Sequence, residues 1–259
     1  MLKVATWNIN GLVRRLPLLL EWLRDAQPHV VALQETKVTD DAFPAQALAD
    51  AGYASLCVGQ KTWNGVALLS RAGDPVVVRR ALPGDAADHQ ARYLEAAIAG
   101  VLYCCLYAPN GNPRPGPKFD DKIAWHERLT AHAAGLIDSG LPVVLLGDFN
   151  VVPTDFDRYC SRSYDDNALV QPESRAVHGR LMDQGWLDAL RSRHPDEPMY
   201  TFWDYLRNRW PRDAGLRIDH VLLSPGLAHR LRDAQVDREV RGQHGASDHA
   251  PVWVRLTER

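Results

Sequence analysis

The 259-residue sequence predicts an α/β sandwich built on mixed sheets. Strand-like runs recur from one end of the chain to the other. Several of them are apolar on successive residues, which suits strands covered on both faces. Helical patterns separate only some of the runs, so the order starts as βαβα, passes through a block of strands and returns to helix–strand. A purely parallel doubly wound sheet would not read that way.

The runs lie at residues 2–7, 30–34, 66–70, 76–78, 101–107, 143–147, 217–223 and 252–256, dominated by Val and Leu. A helix is expected over 17–26, with Pro17 in its first turn, where the missing N–H costs nothing. A second is expected over 43–51, ending at Gly52, and the longest over 119–139, also ending at a glycine. Two shorter helices, 178–184 and 186–193, flank Gly185. The stretch 110–117 is rich in Pro and Gly but short, and 155–175 is polar and irregular, so both read as loops and neither as a linker. A single domain spanning 1–259 is expected.

Composition narrows the function classes. The chain is 46% hydrophobic and 24% charged, as ordinary globular proteins are. No apolar run is long enough to span a bilayer, and the first residues read as a strand without a cleavage pattern, so no membrane partner is expected. Cys57, Cys104, Cys105 and Cys160 form neither a CxxC pair nor a disulfide framework, and reduced thiols in a cytoplasmic protein are the simplest reading. A net charge of −2 argues against holding nucleic acid by bulk electrostatics, though a local patch and a bound cation can still contact phosphate.

Polar residues cluster where strands end. Trp7-Asn8-Ile9-Asn10-Gly11 follows the first run, Leu33-Gln34-Glu35-Thr36-Lys37 the second, Tyr107-Ala108-Pro109-Asn110 a central one, and Gly147-Asp148-Phe149-Asn150 the run at 143–147. Asp219 lies within a strand-like run, and Ser247-Asp248-His249 precedes the last strand. Taken singly, each has a plain alternative as an Asx-turn, a cap, a surface carboxylate or a core aromatic. Together they suit phosphodiester hydrolysis. Glu35 with Asn8 and Asn10 offers hard oxygens to Mg²⁺. Asp148 could orient or deprotonate water, with Asn150 fixing it, while His249 binds phosphate or acts as base and Asp219 orients the imidazole. Tyr107 and Asn110 could donate hydrogen bonds to phosphate. HExxH, zinc-spaced Cys/His, GxSxG, Walker A and Gly-rich nucleotide fingerprints are all absent from the sequence.

Asn8-Ile9-Asn10-Gly11, Gln34-Glu35-Thr36-Lys37, Gly147-Asp148-Phe149-Asn150 and Ser247-Asp248-His249-Ala250-Pro251-Val252 resemble the signatures of the exonuclease III family of AP endonucleases, within the endonuclease/exonuclease/phosphatase superfamily. The resemblance runs from Leu2 to Val254. It implies a four-layer α/β sandwich, two packed mixed sheets flanked by helices. It also implies a metal-dependent nuclease using Mg²⁺, with Mn²⁺ as the alternative, on double-stranded DNA with abasic sites or 3′ ends. Position by position, it implies Asn8, Glu35, Asp148, Asn150, Asp248 and His249 at the metal and phosphate. The catalytic group it implies is Tyr107, Asp148, Asn150 and His249, with Asp219 behind His249. Asn10, Lys37 and Asn110 are expected on the substrate, and Phe202, Trp203 and Leu216 around an abasic sugar. A monomer is expected.

The superfamily shares its acid, amide and histidine positions with inositol-phosphate phosphatases and sphingomyelinases. The segments Gly65-Val66-Ala67-Leu68-Leu69-Ser70, Tyr200-Thr201-Phe202-Trp203 and Gly215-Leu216-Arg217-Ile218-Asp219 resemble the DNA-repair branch instead. The loop 110–115 has its own composition. Arg207, Arg209, Arg212 and Arg217 offer either cations for a DNA backbone or a solvated face. A non-catalytic nucleic-acid-binding regulator is the other alternative, and the complete set of acids, amides and histidine argues against it.

Overall fold

The computed structural model describes residues 1–258, and its architecture follows from strands that bury both faces. In chain order the elements are β1 (Leu2–Asn8), α1 (Leu12–Ala26), β2 (Val30–Gln34), α2 (Ala45–Asp50), β3 (Ala54–Val58), β4 (Val66–Ser70), β5 (Val76–Arg79), β6 (Tyr93–Ile98) and β7 (Val101–Tyr107). They continue with α3 (Pro117–Asp138), β8 (Val143–Asp148), α4 (Pro172–Met182), β9 (Leu187–Asp188), α5 (Ala189–Arg193), β10 (Asp219–Leu223), α6 (Pro225–Ala228), β11 (Leu231–Val236) and β12 (Val252–Leu256). One six-stranded sheet runs β11-β12-β1-β2-β4-β3 and the other β5-β6-β7-β8-β10-β9. Each is mixed, with one parallel pair, β1/β2 in the first and β7/β8 in the second.

Alternation along the strands separates the layers. Val4, Val30, Ala32, Val66 and Leu68 of the first sheet meet Leu94, Tyr103, Cys105, Val144, Leu146 and Val221 of the second in a shared core. The intervening residues Ala5, Trp7, Val31, Leu33, Ala67 and Leu69 face outward under Leu12, Leu19, Trp22 and Leu23 of α1. On the other side, Cys104, Leu106, Val143, Leu145 and Leu222 lie under Trp125, Leu129, Ala133 and Leu136 of α3 and Leu181 of α4. Helix, sheet, sheet, helix is therefore a four-layer sandwich, and the continuous apolar runs are the sequence trace of strands sealed on both sides. Among the described residues no helix is long and apolar enough to cross a membrane.

Several expected elements differ. α1 starts at Leu12, so Pro17 lies inside it. The turn before Pro17 is tied down from outside, because the N–H groups of Gly11 and Leu12 donate to the carbonyls of Glu35 and Thr36 at 2.7 and 3.0 Å. α4 starts at Pro172, six residues ahead of its expected start, with proline at its first turn. Leu187 and Asp188, expected as helix, pair with Leu223 and Leu222 as β9. β10 starts at Asp219 and not at 217, because the N–H of Arg217 donates to Asp157 and that of Ile218 to the Thr201 hydroxyl. β3, β6 and β11 lie outside the apolar runs of the sequence: β3 and β11 are only partly buried, and Glu95 in β6 and the Arg-Asp-Ala-Gln stretch in β11 break the apolar signal. The 155–175 segment is more than a surface loop, since Tyr164, Ala168, Leu169 and Val170 are buried with Leu216 and Ile218 in a cluster of their own.

The pairing registers position the functional residues. Asn8 ends β1 opposite Gln34, Tyr107 ends β7 opposite Asp148, and Asp148 faces Asp219 at the start of β10. The ends of both parallel pairs therefore open on one rim of the sandwich, where the loop leading into β12 supplies Asp248 and His249.

Candidate active site

Backbone geometry turns these strand ends into a site. Asn10, Glu35, Lys37 and Asn150 all adopt left-handed conformations, with φ of 47°, 51°, 55° and 52°. That conformation is unfavourable for Glu and Lys and persists only where the surroundings impose it. Here they do. The N–H groups of Ile9, Gly11 and Leu12 bond the carbonyls of Gln34, Glu35 and Thr36, and those of Thr36 and Lys37 bond Gly65 and Asn64.

A chain of hydrogen bonds, with one longer ionic contact in it, then crosses the rim. His249 Nδ1 lies 2.8 Å from Asp219 Oδ2, which also accepts the Thr201 hydroxyl at 2.6 Å. The far nitrogen of His249 stands 3.8 Å from Asp148 Oδ2. Asn8 Nδ2 donates to that same Asp148 oxygen and to Glu35 Oε1, at 2.9 Å each. The amide thereby links the carboxylates of the two sheets. Lys37 Nζ is 2.8 Å from Glu35 Oε2 and donates to Asn10 Oδ1 at 2.6 Å, while Asn10 Nδ2 donates to Asp248 Oδ1 at 2.9 Å. The Asn150 N–H donates to Asp148 Oδ1 at 2.9 Å, and the Asn150 side chain donates to the Ala108 carbonyl and accepts from Asn110.

Glu35, Tyr107, Asn110, Asp148, Asn150, Phe202, Leu216, Asp248 and His249, all expected from the sequence, line one cavity of about 320 Å³. Asn8 and Asp219 are fully buried behind its wall and act through the side chains they hold. Asn10 and Lys37 sit beside it in the Glu35–Asp248 network. Trp203 is not brought to the cavity. It is 1% exposed, its ring packs edge-on against Trp210, its indole N–H donates to Asp213 and its backbone N–H to Asp248. Its neighbour Phe202 carries the contact, 4.9 Å from the His249 ring. The arginine cluster divides as well. Arg217 is buried in ion pairs with Asp157 and Asp188, and Arg209 is buried over Tyr164, which leaves Arg207 and Arg212 exposed.

Sequence reasoning missed the supports. Thr201 orients Asp219, and Ser247 donates to the Asn8 carbonyl at 2.6 Å while accepting the His249 N–H. The Trp7 indole donates to the His249 carbonyl at 3.1 Å. Lys122, fully buried on α3, donates to the carbonyls of Pro109 and Asn150. Leu169 and Ile218 add an apolar wall beside Phe202. Hydroxyl and backbone partners of this kind leave no periodic trace, although Ser247 adjoins a motif that was read.

The electrostatics divide labour between the groups. Burial opposes the charge on His249, but the Asp219 charge and hydrogen bond, with Asp148, outweigh it and carry its pKa up to about 10. Burial raises the carboxyl of Asp148, and the Asp219 charge raises it further. Burial also works against ionised Glu35, yet its bonds to Lys37 and Asn8 hold it below the ordinary range. Burial, then the Glu35 and Asp148 charges, keep Tyr107 protonated well above its usual value. Asp148, Asp219 and His249 present ligand atoms within 4.8 Å of one another, a group able to hold a metal ion. The carboxylates of Glu35, Asp148 and Asp248 line the same cavity, a set of hard oxygens of the kind that suits a divalent cation. Asp219 Oδ1 is buried with no hydrogen-bond partner, a further oxygen free to face a cation or a water.

Comparison with known proteins agrees with this geometry. The model of the endonuclease/exonuclease/phosphatase family matches residues 5–249. Exodeoxyribonuclease III of Haemophilus influenzae is 34% identical, over 98% of this chain and 100% of its own. Among solved structures, a 3′ phosphatase from Neisseria bound to product DNA hairpin superposes with a TM-score of 0.96 at 38% identity, covering 100% of both chains. An AP endonuclease from Archaeoglobus fulgidus gives 0.95 at 32% identity, again over 100% of both chains.

Proposed function

This chain belongs to the endonuclease/exonuclease/phosphatase family, and we propose that it is a Mg²⁺-dependent DNA phosphodiesterase that cuts 5′ to abasic sites or trims 3′ ends. The observation that carries the reading is the line Asp219–His249–Asp148–Asn8–Glu35, hydrogen-bonded at every step but the 3.8 Å ionic approach of His249 to Asp148, which brings an imidazole and two carboxylates to one cavity. The exodeoxyribonuclease III and AP endonuclease names of its relatives support DNA as the substrate.

Glu35, Asp148, Asp248 and Asn150 would hold the cation, with Asn8 holding Glu35 and Asp148 in place and with Mn²⁺ as an alternative to Mg²⁺. Bound there, the ion supplies Lewis-acid stabilisation of charge on the phosphoryl oxygens. The chain's own groups do the rest. Asp148, its carboxyl already raised by burial, accepts a proton from the attacking water. Asn150, fixed by Ala108 and Asn110, orients that water against Asp148. His249, its ring fixed through Nδ1 by Asp219 and its charge favoured by the carboxylates around it, donates to a phosphoryl oxygen. The Tyr107 hydroxyl, held protonated, donates toward the phosphate or the leaving oxygen. Phe202, Leu216, Ile218 and Leu169 form an apolar wall that suits a sugar lacking its base. We further propose a monomer working in the cytoplasm as a single domain.

The test is a gel assay on duplex DNA carrying one abasic-site analogue, with Mg²⁺ and with EDTA, beside a duplex ending in a 3′-phosphate. A single metal-dependent cut 5′ to the lesion is the expected result for an AP endonuclease. A ladder from the 3′ end, or phosphate release, would assign it to 3′-end processing. No cleavage with any metal would overturn the DNA reading in favour of an inositol or lipid phosphate, or of a binding protein.

A further inference from the structure

A second cleft of about 490 Å³ adjoins the catalytic cavity, sharing Tyr107, Asn110 and Asn112 with it. Its outer wall carries Trp63, 66% exposed and, of the chain's eight tryptophans, the only one exposed among the described residues. Solvating an indole is unfavourable, and one held on a rigid support beside a catalytic site is a candidate for a ring-stacking role.

The support is rigid. Gln60 Oε1 accepts both the Asn64 side-chain amide and the Ala91 N–H, at 2.9 and 3.0 Å, closing the Trp63 loop onto the segment before β6. The carbonyls of Asn64 and Gly65 accept the N–H groups of Lys37 and Thr36, the residues that follow Glu35. Gly65, at φ +89°, lets the loop lie so close that a Cβ there would stand 2.1 Å from the Thr36 hydroxyl. The position of Trp63 relative to Glu35 is therefore fixed by the backbone. Lys37 Nζ stands 5.9 Å from the indole centre. Across the cleft floor, the Arg92 guanidinium lies 4.7 Å over the Tyr107 ring and donates to the Tyr107 carbonyl at 3.2 Å. Lys118 adds an exposed cation and Asp121 one opposing charge.

An exposed aromatic platform in a cleft that also carries Arg92 and Lys118 matches an unpaired nucleotide better than a folded protein surface. Resting on the nuclease reading above, we infer that this cleft seats one unpaired nucleotide of the strand whose phosphodiester enters the catalytic cavity, its base stacked on Trp63 and its phosphate facing Arg92 and Lys118. The cleft would thus favour DNA ends or lesions at which a neighbouring base has left the duplex.

The probe is a short oligothymidylate with non-hydrolysable linkages, set beside a base-free deoxyribose-phosphate oligomer of the same length. The expected result has three parts. The oligothymidylate shields wild-type emission from iodide quenching, and Trp63→Phe removes that change. Trp63→Ala weakens oligothymidylate binding by about tenfold or more, which Trp63→Phe largely restores. The base-free oligomer binds wild type and Trp63→Ala equally. Because Trp63 is exposed, thermal unfolding of both variants should match wild type, so a misfolded variant is recognised at once. Equal oligothymidylate affinity for wild type and Trp63→Ala overturns the stacking inference while leaving the nuclease reading intact. A wild-type chain that neither cuts nor binds DNA overturns both.

Discussion

Asp219 holds His249 through a 2.8 Å bond to Nδ1, and the other nitrogen of the ring points at Asp148 from 3.8 Å. Two carboxylates therefore bracket one buried imidazole, and their charge outweighs the penalty of burying a cation there. The folded-state pKa of His249 is raised to about 10, so its charge is retained through neutral pH and lost as pH rises through that value. Asp219→Asn removes the charge but keeps the shape. The variant should lose roughly 10²-fold in kcat, and the alkaline limb of its kcat–pH profile should move to lower pH. An alkaline limb that stays where wild type has it would mean that another group titrates there. His249→Asn should cost as much, with no alkaline limb of this origin left.

Asp148 Oδ2 accepts from Asn8 and faces His249 while Oδ1 accepts the Asn150 N–H, so an asparagine in its place keeps the shape and one accepting oxygen but loses the negative charge and the other acceptor. Asp148→Asn should therefore bind DNA with near-wild-type affinity and lose roughly 10²-fold or more in kcat. Single-turnover cleavage alongside equilibrium binding separates the two quantities. A variant that loses binding and keeps its rate would make Asp148 a substrate contact and not a base.

Glu35 is paired with Lys37 at 2.8 Å and tied to Asn8, which keeps it ionised at neutral pH. It is the carboxylate that the first sheet's strand ends bring to the cavity, and Lys37 is its counter-ion. Glu35→Ala should raise the half-saturating Mg²⁺ concentration by about tenfold or more and lower activity with it, since loss of even an outer partner of a metal ligand commonly does as much. Calorimetric titration of Mg²⁺ gives a readout independent of turnover. An unchanged metal titration would remove Glu35 from the ligand set.

What could be read in the sequence follows the physics of each feature. The strands sealed on both faces announce themselves as unbroken apolar runs, and the residues at their ends, Asn8, Glu35, Tyr107 and Asp148, could be picked out because a polar group following such a run needs a reason to be there. The edge strands β3, β5 and β11 are partly or wholly exposed, so their composition is mixed, and β5 shows in the sequence only as three valines in succession. Trp203 shows the limit of a motif: the pair Phe202–Trp203 is bonded to one backbone, yet neighbouring residues in an extended segment face opposite ways, and only Phe202 meets His249. The Pro17 position failed because proline marks a helix start only when nothing outside the helix stabilises the turn before it, and here Glu35 and Thr36 accept the first N–H groups.

Arg217, for which the sequence offers a DNA-backbone contact or a solvated face, is neither. Its Nε donates to Asp157 and a terminal nitrogen to Asp188, at 2.6 Å each, and Arg191 adds a third contact of 2.6 Å to Asp157. Arg217 and Asp157 have side-chain exposures of 2% and 0%, so neither can exchange its partner for water. Asp157→Asn should cost on the order of 3 kcal/mol, because it removes one of the two carboxylates that compensate a buried guanidinium and leaves only Asp188. Burial works against the Asp157 charge, but the bond and charge of Arg217, with Arg191 and Thr154, pull its pKa well below the ordinary carboxylate value. A lowered folded-state pKa contributes stability that is present above the unfolded value of about 3.9 and is lost as pH falls toward the folded one. Urea midpoints should therefore fall steeply for wild type below about pH 4. The slope should be shallower for Asp157→Asn, which starts lower at pH 7. Parallel slopes for the two proteins would show that the acid sensitivity lies in other carboxylates. A small loss at pH 7 would show that Arg217 finds enough in Asp188 alone.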